Sequence, residues 1–281
     1  MNRLWLVTNP ASGSTSSILT VSIEAAVRDA GCIFAGRTGF PEEALPTAGK
    51  LEDAAVDTLV LFAGDGTINA TLGALGAWRG SFLILPGGTM NLLAKPLHDT
   101  LDPVAIVKAA LSLRRRVSLP IVKAGQHRAY VGVIIGPGTE WAHAREAIRK
   151  WRLARVWRAA RVAWRRTFGT GIRIRGVPEL QSRYQAIFVS PGDWGVGIAA
   201  IDARDWAAIA NLGWAFVSGD WVDARAVEMV RASQVEIAGS RTVAALIDGE
   251  PRMIASDTII SAGISAPIFL ATRPTNLSAW K

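Results

Sequence analysis

Short apolar runs alternate with segments of helical periodicity along the first half of the chain. Runs of strand type cover residues 4–7, 33–37, 57–63 and 81–85. The periodicity predicts helices over residues 16–30 and 67–78, a helix that opens at Pro41, and one that starts at Asp102 and ends near Leu113. Strands and helices that alternate in this way indicate a parallel sheet covered by helices on both faces.

The pattern changes after Arg116. Strand-type runs at residues 117–124 and 127–135 flank Gly125 and Gln126, and short strands predominate from residue 171 onward. The later runs cover residues 172–175, 184–190, 195–201, 234–238, 242–247, 258–261 and 267–271. Their alternation and the turn residues between them favour an antiparallel, β-rich domain.

This change of pattern sets the expected domain organisation. We predict an α/β domain over residues 1–117 and a β-rich domain over residues 118–271. The final residues, 272–281, are expected to be able to return to the first domain.

The composition allows a large hydrophobic core, because half of the 281 residues are apolar. The single cysteine, Cys32, excludes an internal disulfide and is typical of a reducing compartment. No apolar run approaches the ~18–20 residues that a membrane-spanning helix needs. The N-terminus begins with a strand pattern instead of a secretory signal. These features predict a cytoplasmic protein, peripherally associated with a membrane if it binds one.

The formal net charge of +8 is concentrated in one segment. Residues 141–166 contain nine Lys or Arg against one acid, Glu146, so the rest of the chain is close to neutral. At about 100° per residue, this segment is predicted to form an amphipathic helix with arginines opposite a tryptophan-containing apolar face. Its candidate membrane-contacting residues are Trp151, Arg155, Trp157, Arg158, Arg161, Trp164 and Arg165.

Three interpretations of this basic segment are open from its residues. Arginine and tryptophan suit an anionic membrane surface, where Trp occupies the headgroup region and each basic residue adds about 1 kcal/mol of attraction. The apolar face could instead pack on the protein's own domain, as amphipathic helices usually do. Nucleic acid is the least favoured partner, because the sequence contains no recognised nucleic-acid-binding module.

A strand-to-helix turn gives the strongest chemical signal. The apolar run that ends at Ala63 is followed at once by Gly64, Asp65, Gly66 and Thr67. Open α/β folds bind ligands at the carboxyl ends of their strands, and glycines there let a ligand approach the backbone. Asp65 could therefore bind a cation or accept a proton from a hydroxyl substrate, or it could belong to an ordinary Asp-Gly turn.

Two further loops have a similar character. Residues 9–13 (Asn-Pro-Ala-Ser-Gly) follow the first strand, and residues 86–91 (Pro-Gly-Gly-Thr-Met-Asn) follow the fourth. Backbone N–H groups at the start of a helix bind anions, although each loop alone is also consistent with helix capping. Because the loops that follow parallel strands lie at one sheet edge, the three segments together predict a crevice that binds phosphate groups.

Late in the β-rich half, Asp248, Gly249 and Glu250 fall in a predicted hairpin turn. Asp-Gly is common in such turns for conformational reasons alone. Two carboxylates that flank a glycine could also reach the crevice from the second domain.

Taken in order, these four segments resemble the diacylglycerol kinase catalytic family, in particular the bacterial soluble lipid kinases that are similar to sphingosine and ceramide kinases. Residues 9–13 resemble the family's first nucleotide loop, and residues 63–67 its Gly-Gly-Asp-Gly-Thr signature. Residues 86–91 resemble its Pro-x-Gly-Thr-x-Asn loop, and residues 248–250 its late Asp-Gly-Glu. The combination is specific, although each piece alone is not.

The resemblance implies a kinase of two domains that uses ATP and Mg²⁺. The first would be an α/β nucleotide domain similar to those of phosphofructokinases and NAD kinases, and the second an antiparallel β-sandwich. The implied acceptor is the hydroxyl of a membrane lipid alcohol, such as diacylglycerol or a sphingoid lipid. With such a substrate, an anionic membrane surface becomes the favoured partner of residues 141–166.

The resemblance also implies roles for individual residues. Asp65 would organise Mg²⁺, Asp248 would accept the proton of the lipid hydroxyl, and Glu250 would support the base or the metal. Thr38 falls where the family has a nucleotide-contacting threonine. The implied nucleotide-contacting residues are Asn9, Pro10, Ser12, Gly13, Thr38, Gly64, Asp65, Gly66, Thr67, Gly87, Gly88, Thr89 and Asn91.

The sequence departs from the family pattern at three places. Ala63 replaces the first glycine of the signature, Ala70 or Thr71 stands where a glutamate is usual, and Leu92 stands where an aspartate is frequent. The two missing acids motivate a second hypothesis, a catalytically weak, membrane-associated nucleotide-binding protein. An NAD kinase-like enzyme is a third, because it shares the glycine-aspartate turn. The lipid acceptor and the oligomeric state are open.

The tryptophans of the β-rich half are expected to be core residues, with an acyl-chain channel as the alternative. Those outside the basic segment are Trp194, Trp206, Trp214 and Trp221.

Overall fold

The computed structural model describes residues 3–136, 171–192, 194–201, 227–239 and 242–273. These residues form two compact units, the first made of Met1–Leu119 with Ile264–Lys281 and the second of Pro120–Gly263. The chain passes from the first unit to the second within one strand and returns within another.

The first unit alternates strands with helices. Its elements are β1 (Arg3–Thr8), α1 (Ser17–Asp29), β2 (Ile33–Gly39), α2 (Ala48–Asp53), β3 (Thr58–Ala63), α3 (Asp65–Ala74), β4 (Ser81–Pro86), α4 (Ala94–Leu97), α5 (Pro103–Leu113) and the start of β5 (Arg116–Ala124). Strands β1 to β4 pair in parallel in the order β2-β1-β3-β4. The predicted parallel sheet is therefore confirmed.

Burial explains why β3 and β4 read as continuous apolar runs. Every residue of both strands is buried, as expected for central strands of a parallel sheet that is covered on both faces. Helices α1 and α5 supply the apolar residues of one cover, among them Ile23, Val27 and Ile106. Ser16 caps α1 and Asp102 caps α5, each by accepting backbone N–H bonds from the first turn.

The helix predicted to open at Pro41 is wrong, because α2 begins only at Ala48. Pro46 explains the difference, since a proline disfavours the helical conformation of the residue before it and has no N–H to continue a helix. Thr47 then caps α2 by accepting the N–H of Lys50 at 3.2 Å. Helix α3 also starts two residues earlier than predicted, at Asp65.

The second unit is built from short strands. They are the end of β5, then β6 (His127–Ala129), β7 (Val133–Ile135), β8 (Arg173–Arg175), β9 (Ala186–Gly192), β10 (Gly195–Ile201), β11 (Val227–Ala232), β12 (Gln234–Ala238), β13 (Val243–Ile247), β14 (Glu250–Ile254) and the start of β15 (Ile259–Leu270). Six of them form an antiparallel sheet in the order β11-β10-β9-β7-β13-β14. We call this the six-stranded sheet.

A single apolar core joins the six-stranded sheet to the other strands of this unit. Val189, Ile198 and Ile247 from the six-stranded sheet share this core with Val122 of β5 and Ile237 of β12. Packing of two sheets face to face is the arrangement of a β-sandwich. The predicted antiparallel β-sandwich is therefore confirmed for this part of the chain.

Two strand predictions differ from the structure. The run at residues 127–135 is divided into β6, which pairs with β5, and β7, which belongs to the six-stranded sheet. The runs predicted at residues 258–261 and 267–271 are parts of one long strand, β15.

The core location expected for Trp194 is wrong, because its side chain is 96% exposed in the connection between β9 and β10. Trp206, Trp214 and Trp221 lie outside the described residues.

Candidate functional site

Three loops of the first unit meet at the carboxyl ends of β1, β3 and β4. We call residues 9–14 the first loop, residues 64–67 the second loop and residues 87–92 the third loop. The hydroxyl of Ser12 accepts the N–H of Gly64 at 3.0 Å, and the side-chain amide of Asn9 donates to the hydroxyl of Thr67 at 2.9 Å. Ser14 donates its hydroxyl to the carbonyl of Gly88 at 3.1 Å. The segments predicted to form one crevice are thus directly bonded to one another.

Asp65 joins α3 to the third loop. It is the first residue of α3, and its Oδ1 accepts the N–H of Leu92 at 2.8 Å. Asn91 adopts a left-handed conformation with φ of 51°, and its Oδ1 accepts the N–H of Gly88 at 2.9 Å. Asn91 therefore folds its own loop back, and Asp65 holds that loop at the start of α3.

The glycines allow this close approach. A Cβ on Gly88 would lie 2.8 Å from the Cα of Gly64, and one on Gly87 would lie 2.7 Å from the backbone nitrogen of Ala63. Both separations are too short for a real side chain. The loops consequently pack backbone against backbone, with exposed residues at their tips.

The start of α3 fits a phosphate group. Its first helical bond runs from the N–H of Ile68 to the carbonyl of Gly64 at 3.1 Å. The N–H groups of Asp65, Gly66 and Thr67 precede that bond and have no carbonyl partner within the helix. Such groups, together with the helix dipole, attract anions.

The residues predicted to bind nucleotide lie mostly in the three loops. Those that take part in the hydrogen bonds of these loops are Asn9, Ser12, Gly64, Asp65, Thr67, Gly88 and Asn91, and Gly87 packs against Ala63. Pro10, Gly13, Gly66 and Thr89 are exposed positions of the same three loops, and a Cβ on Gly13 would lie 3.3 Å from the Thr89 hydroxyl.

Thr38 lies near the carboxyl end of β2, where it pairs with Val7 of β1. Its side chain is buried, and its hydroxyl accepts the indole N–H of Trp5 at 3.1 Å. Contact between Thr38 and a nucleotide stays a prediction.

A buried histidine supports the strand below the third loop. His98 Nε2 bonds the carbonyl of Ile84 at 2.9 Å, and Nδ1 lies 3.3 Å from the hydroxyl of Thr272. Since a carbonyl can only accept, Nε2 carries the proton and Nδ1 accepts from Thr272. Burial lowers the pKa of His98 to about 4, an effect that the Ile84 bond and the charge of Asp99 only partly oppose.

In the second unit, Asp248 is held by the backbone between β6 and β7. Its Oδ2 accepts the N–H of Tyr130 at 2.7 Å, and its Oδ1 accepts those of Val131 at 2.8 Å and Gly132 at 3.0 Å. Its own N–H donates to the Gly132 carbonyl at 3.0 Å. Charge-assisted bonds of this kind fix the orientation of a carboxylate.

Asp248 is 8% exposed and has a φ of 47°. Burial, with a smaller contribution from the Asp248 charge, raises the pKa of the neighbouring Tyr130 to about 12. Ile247 pairs with Glu250, so Asp248 and Gly249 form the tight two-residue turn of the β13–β14 hairpin, as predicted.

Glu250 begins β14 and forms an ion pair with Arg252 at 2.9 Å. Both side chains are partly exposed. Within the described ranges, no group of three or more His, Cys, Asp or Glu side chains is arranged to hold a metal ion. The metal roles of Asp65 and Glu250 stay predictions.

Sequence reasoning did not identify two parts of these arrangements. Ser14 bonds the third loop, and its position in the Ser-Gly-Ser run after residue 11 was the available signal. The turn at Tyr130, Val131 and Gly132 binds Asp248, and Gly132 within a strand-type run was a signal for a break in that run.

The predicted membrane-contacting residues of the segment 141–166 lie outside the described residues. Among the described helices, none has the length and apolar character required to span a bilayer.

Comparisons with known proteins agree with this arrangement. Residues 3–122 match the family model of the diacylglycerol kinase catalytic domain. No curated protein gives a significant match. Among solved structures, a diacylglycerol kinase from Bacillus anthracis str. Sterne is similar, with a TM-score of 0.66 and 14% identity over 97% of each chain.

Another structure from that organism, assigned to the same enzyme class provisionally, has a TM-score of 0.65 and 15% identity. It covers 96% of this chain and 97% of its own. At these identities the structural likeness establishes the fold, which extends over both units.

Proposed function

We propose that this protein is an ATP-dependent kinase whose acceptor is the hydroxyl of a membrane lipid alcohol, such as diacylglycerol or a sphingoid lipid. The match of residues 3–122 to the family model of the diacylglycerol kinase catalytic domain supports this proposal. The observation that carries the proposal is the set of three loops bonded together at the carboxyl ends of β1, β3 and β4. The backbone N–H groups of these loops can bind phosphate oxygens, and the glycines let a polyphosphate come close to the backbone.

ATP would supply the phosphoryl group, and Mg²⁺ would neutralise part of its charge. The N–H groups of Asp65, Gly66 and Thr67 would bind phosphate oxygens. The Asp65 carboxylate, fixed by its bond to the Leu92 N–H, would hold the metal. In such an enzyme, catalysis comes mainly from positioning and from stabilising charge.

In this proposal Asp248 accepts the proton of the lipid hydroxyl. A general base must keep a fixed orientation towards the proton that it removes. Three backbone N–H groups supply that orientation for Asp248. Glu250, two residues later on β14, would support the base or the metal.

The composition of residues 141–166 supports a bilayer-resident acceptor. Nine basic residues and a set of tryptophans suit an anionic membrane surface. Peripheral association would let the enzyme meet a substrate that hardly leaves the lipid.

Phosphate transfer from labelled ATP, with Mg²⁺, to a panel of lipid alcohols in mixed micelles tests the proposal. The panel includes diacylglycerol, monoacylglycerol, ceramide and sphingosine, with NAD as a water-soluble acceptor. We expect one or more labelled lipids with wild type and none with Asp65→Asn. Asparagine keeps an oxygen that can accept the Leu92 N–H, so this variant removes charge while preserving the loop bond.

Asp53→Asn is the matched control, because Asp53 is an exposed acid at the end of α2, away from the three loops. Labelled NAD without labelled lipid would overturn the proposal in favour of an NAD kinase. ATP binding with no labelled acceptor would support a nucleotide-binding protein without transfer activity, which the alanine at position 70 and the leucine at position 92 motivate.

A further inference from the structure

The two ends of the six-stranded sheet differ in what they present. Strand β7 pairs Val133 with both Ile247 of β13 and Val189 of β9, and each partner strand is antiparallel to β7. The carboxyl ends of β9 and β13 therefore lie at the same end of the sheet. We call this the Asp248 end, because Asp248 immediately follows β13.

The β9–β10 hairpin projects beyond that end. Asp248 lies one residue past the row of Val133, whereas Gly192 lies three residues past it and pairs with Gly195 at the tip. The difference of two residues corresponds to about 7 Å along a strand, and two strand spacings, about 10 Å, separate β9 from β13. The hairpin tip thus extends about two residues further than Asp248 beyond the row of Val133.

Trp194 occupies this tip. Its side chain is 96% exposed, the largest exposure among the large apolar side chains of the described residues. Close packing restrains the strand that follows, because a Cβ on Gly195 would overlap the carbonyl oxygen of Ala232 on β11. An indole kept in water at the end of a short hairpin is an unusual use of the largest apolar side chain.

The surroundings of the tip identify the chemistry of a partner. Tryptophan prefers the headgroup region of a bilayer, where its ring is apolar and its N–H finds acceptors. Arg231, on β11, is exposed and pairs across the sheet with Gly197, close to the same end. Asp193, which precedes Trp194 in the sequence, offsets the charge of Arg231, so the exposed indole itself is the feature that suits a membrane interface.

We propose that the β9–β10 hairpin is a membrane-interface anchor, in which Trp194 enters the headgroup region and brings the Asp248 end of the six-stranded sheet to the bilayer surface. The hydroxyl of a lipid alcohol lies at that depth. The anchor rests on the proposed function only in giving Asp248 a bilayer-resident substrate.

A fluorescent label tests the anchor without any catalytic step. The chain has one cysteine, Cys32, which is buried, so Cys32→Ser combined with Trp194→Cys places a nitrobenzoxadiazole label at the tip alone. Gln126→Cys in the same background is the control, because Gln126 is an exposed residue of the β5–β6 hairpin tip in the same unit. Vesicles of equimolar phosphatidylcholine and phosphatidylglycerol are then added.

We expect a blue shift and stronger emission at position 194 and no change at position 126. An unchanged spectrum at position 194, or equal changes at both positions, would overturn the anchor. An unlabelled Trp194→Ser variant should also partition to these vesicles about tenfold more weakly than wild type. Met253→Ser, which removes another exposed apolar side chain of the six-stranded sheet, should partition as wild type does.

Activity separates the anchor from the proposed function. Trp194→Ser should lose phosphorylation of a long-chain lipid alcohol in vesicles, yet keep wild-type kcat with a short-chain, water-soluble analogue. Equal losses with both acceptors would contradict a role in membrane contact. If wild type phosphorylates neither acceptor, the proposed function fails, and the label at position 194 still decides whether the hairpin binds a bilayer.

Discussion

At Asp248, backbone and side chain impose separate requirements on any substitution. The φ of 47° lies in the left-handed region, which asparagine and aspartate tolerate better than other residues that carry a Cβ. The carboxylate accepts three N–H groups that have little access to water. A change at this position therefore affects the folding of the turn as well as any chemistry.

Asp248→Ala is expected to lower the free energy of unfolding by about 4 kcal/mol, because it strains the backbone and leaves buried donors unpaired. Asp248→Asn keeps one oxygen acceptor and the favoured conformation, so its loss should be about 2 kcal/mol. Urea unfolding measures both. If Asp248 accepts the hydroxyl proton, folded Asp248→Asn should transfer phosphate at least about a hundredfold more slowly than wild type. Wild-type activity in that variant would remove Asp248 from the role of base.

His98 gives a pH dependence at the same scale. Its pKa is lowered from 6.5 to about 4 in the folded protein, so below pH 6.5 the unfolded chain binds a proton that the folded protein does not. The free energy of unfolding should therefore fall as the pH falls from 6.5 to 4, by on the order of 3 kcal/mol in all. The difference between wild type and His98→Gln, measured by urea unfolding across this range, isolates the effect. Parallel pH profiles would contradict it.

At the scale of elements, the parallel strands were predictable because buried strands need unbroken apolar runs. The start of α2 was not, since a proline at position 41 is a good first helical residue and Pro46 decides the outcome five residues later. The break between β6 and β7 depends on Asp248, more than a hundred residues away. The three loops were predictable as a group because parallel strands bring them to one edge, while the hydrogen bonds among them depend on side-chain packing.

The backbone contact between the second and third loops gives a prediction for a glycine. In Gly88→Ala, the new methyl group would meet the Cα of Gly64 at 2.8 Å, so the loops must separate. ATP affinity is expected to fall by at least about tenfold, with 1.4 kcal/mol of lost binding for each factor of ten. Gly73→Ala on α3 is the control, because a Cβ there meets nothing within 4 Å and alanine favours a helix. Calorimetry measures the ATP affinity of each variant. If Gly88→Ala binds ATP as tightly as wild type does, the close contact between Gly88 and Gly64 is not required for ATP binding.

At the scale of the whole molecule, charge and apolar exposure are separated along the sequence. The excess of positive charge lies within residues 141–166, whereas the most exposed tryptophan of the described residues lies at position 194. Electrostatic attraction to anionic lipids is screened by salt, but transfer of an indole into the headgroup region is not. The two contributions to membrane binding can therefore be distinguished by ionic strength.

Replacement of Arg155, Arg158, Arg161 and Arg165 by glutamine should weaken partitioning to phosphatidylglycerol-containing vesicles by about three orders of magnitude at low salt, because each arginine contributes about 1 kcal/mol. The same four positions changed to lysine keep the charge and should bind nearly as wild type does. Trp194→Ser should weaken binding by a similar factor at low and high salt, since its contribution does not depend on screening. Vesicle sedimentation over a salt series measures all three. If the glutamine variant keeps the salt dependence of wild type, the electrostatic attraction to the vesicles comes from other residues. If the binding defect of Trp194→Ser disappears at high salt, the β9–β10 hairpin contributes to membrane binding through electrostatics and not through insertion of the indole.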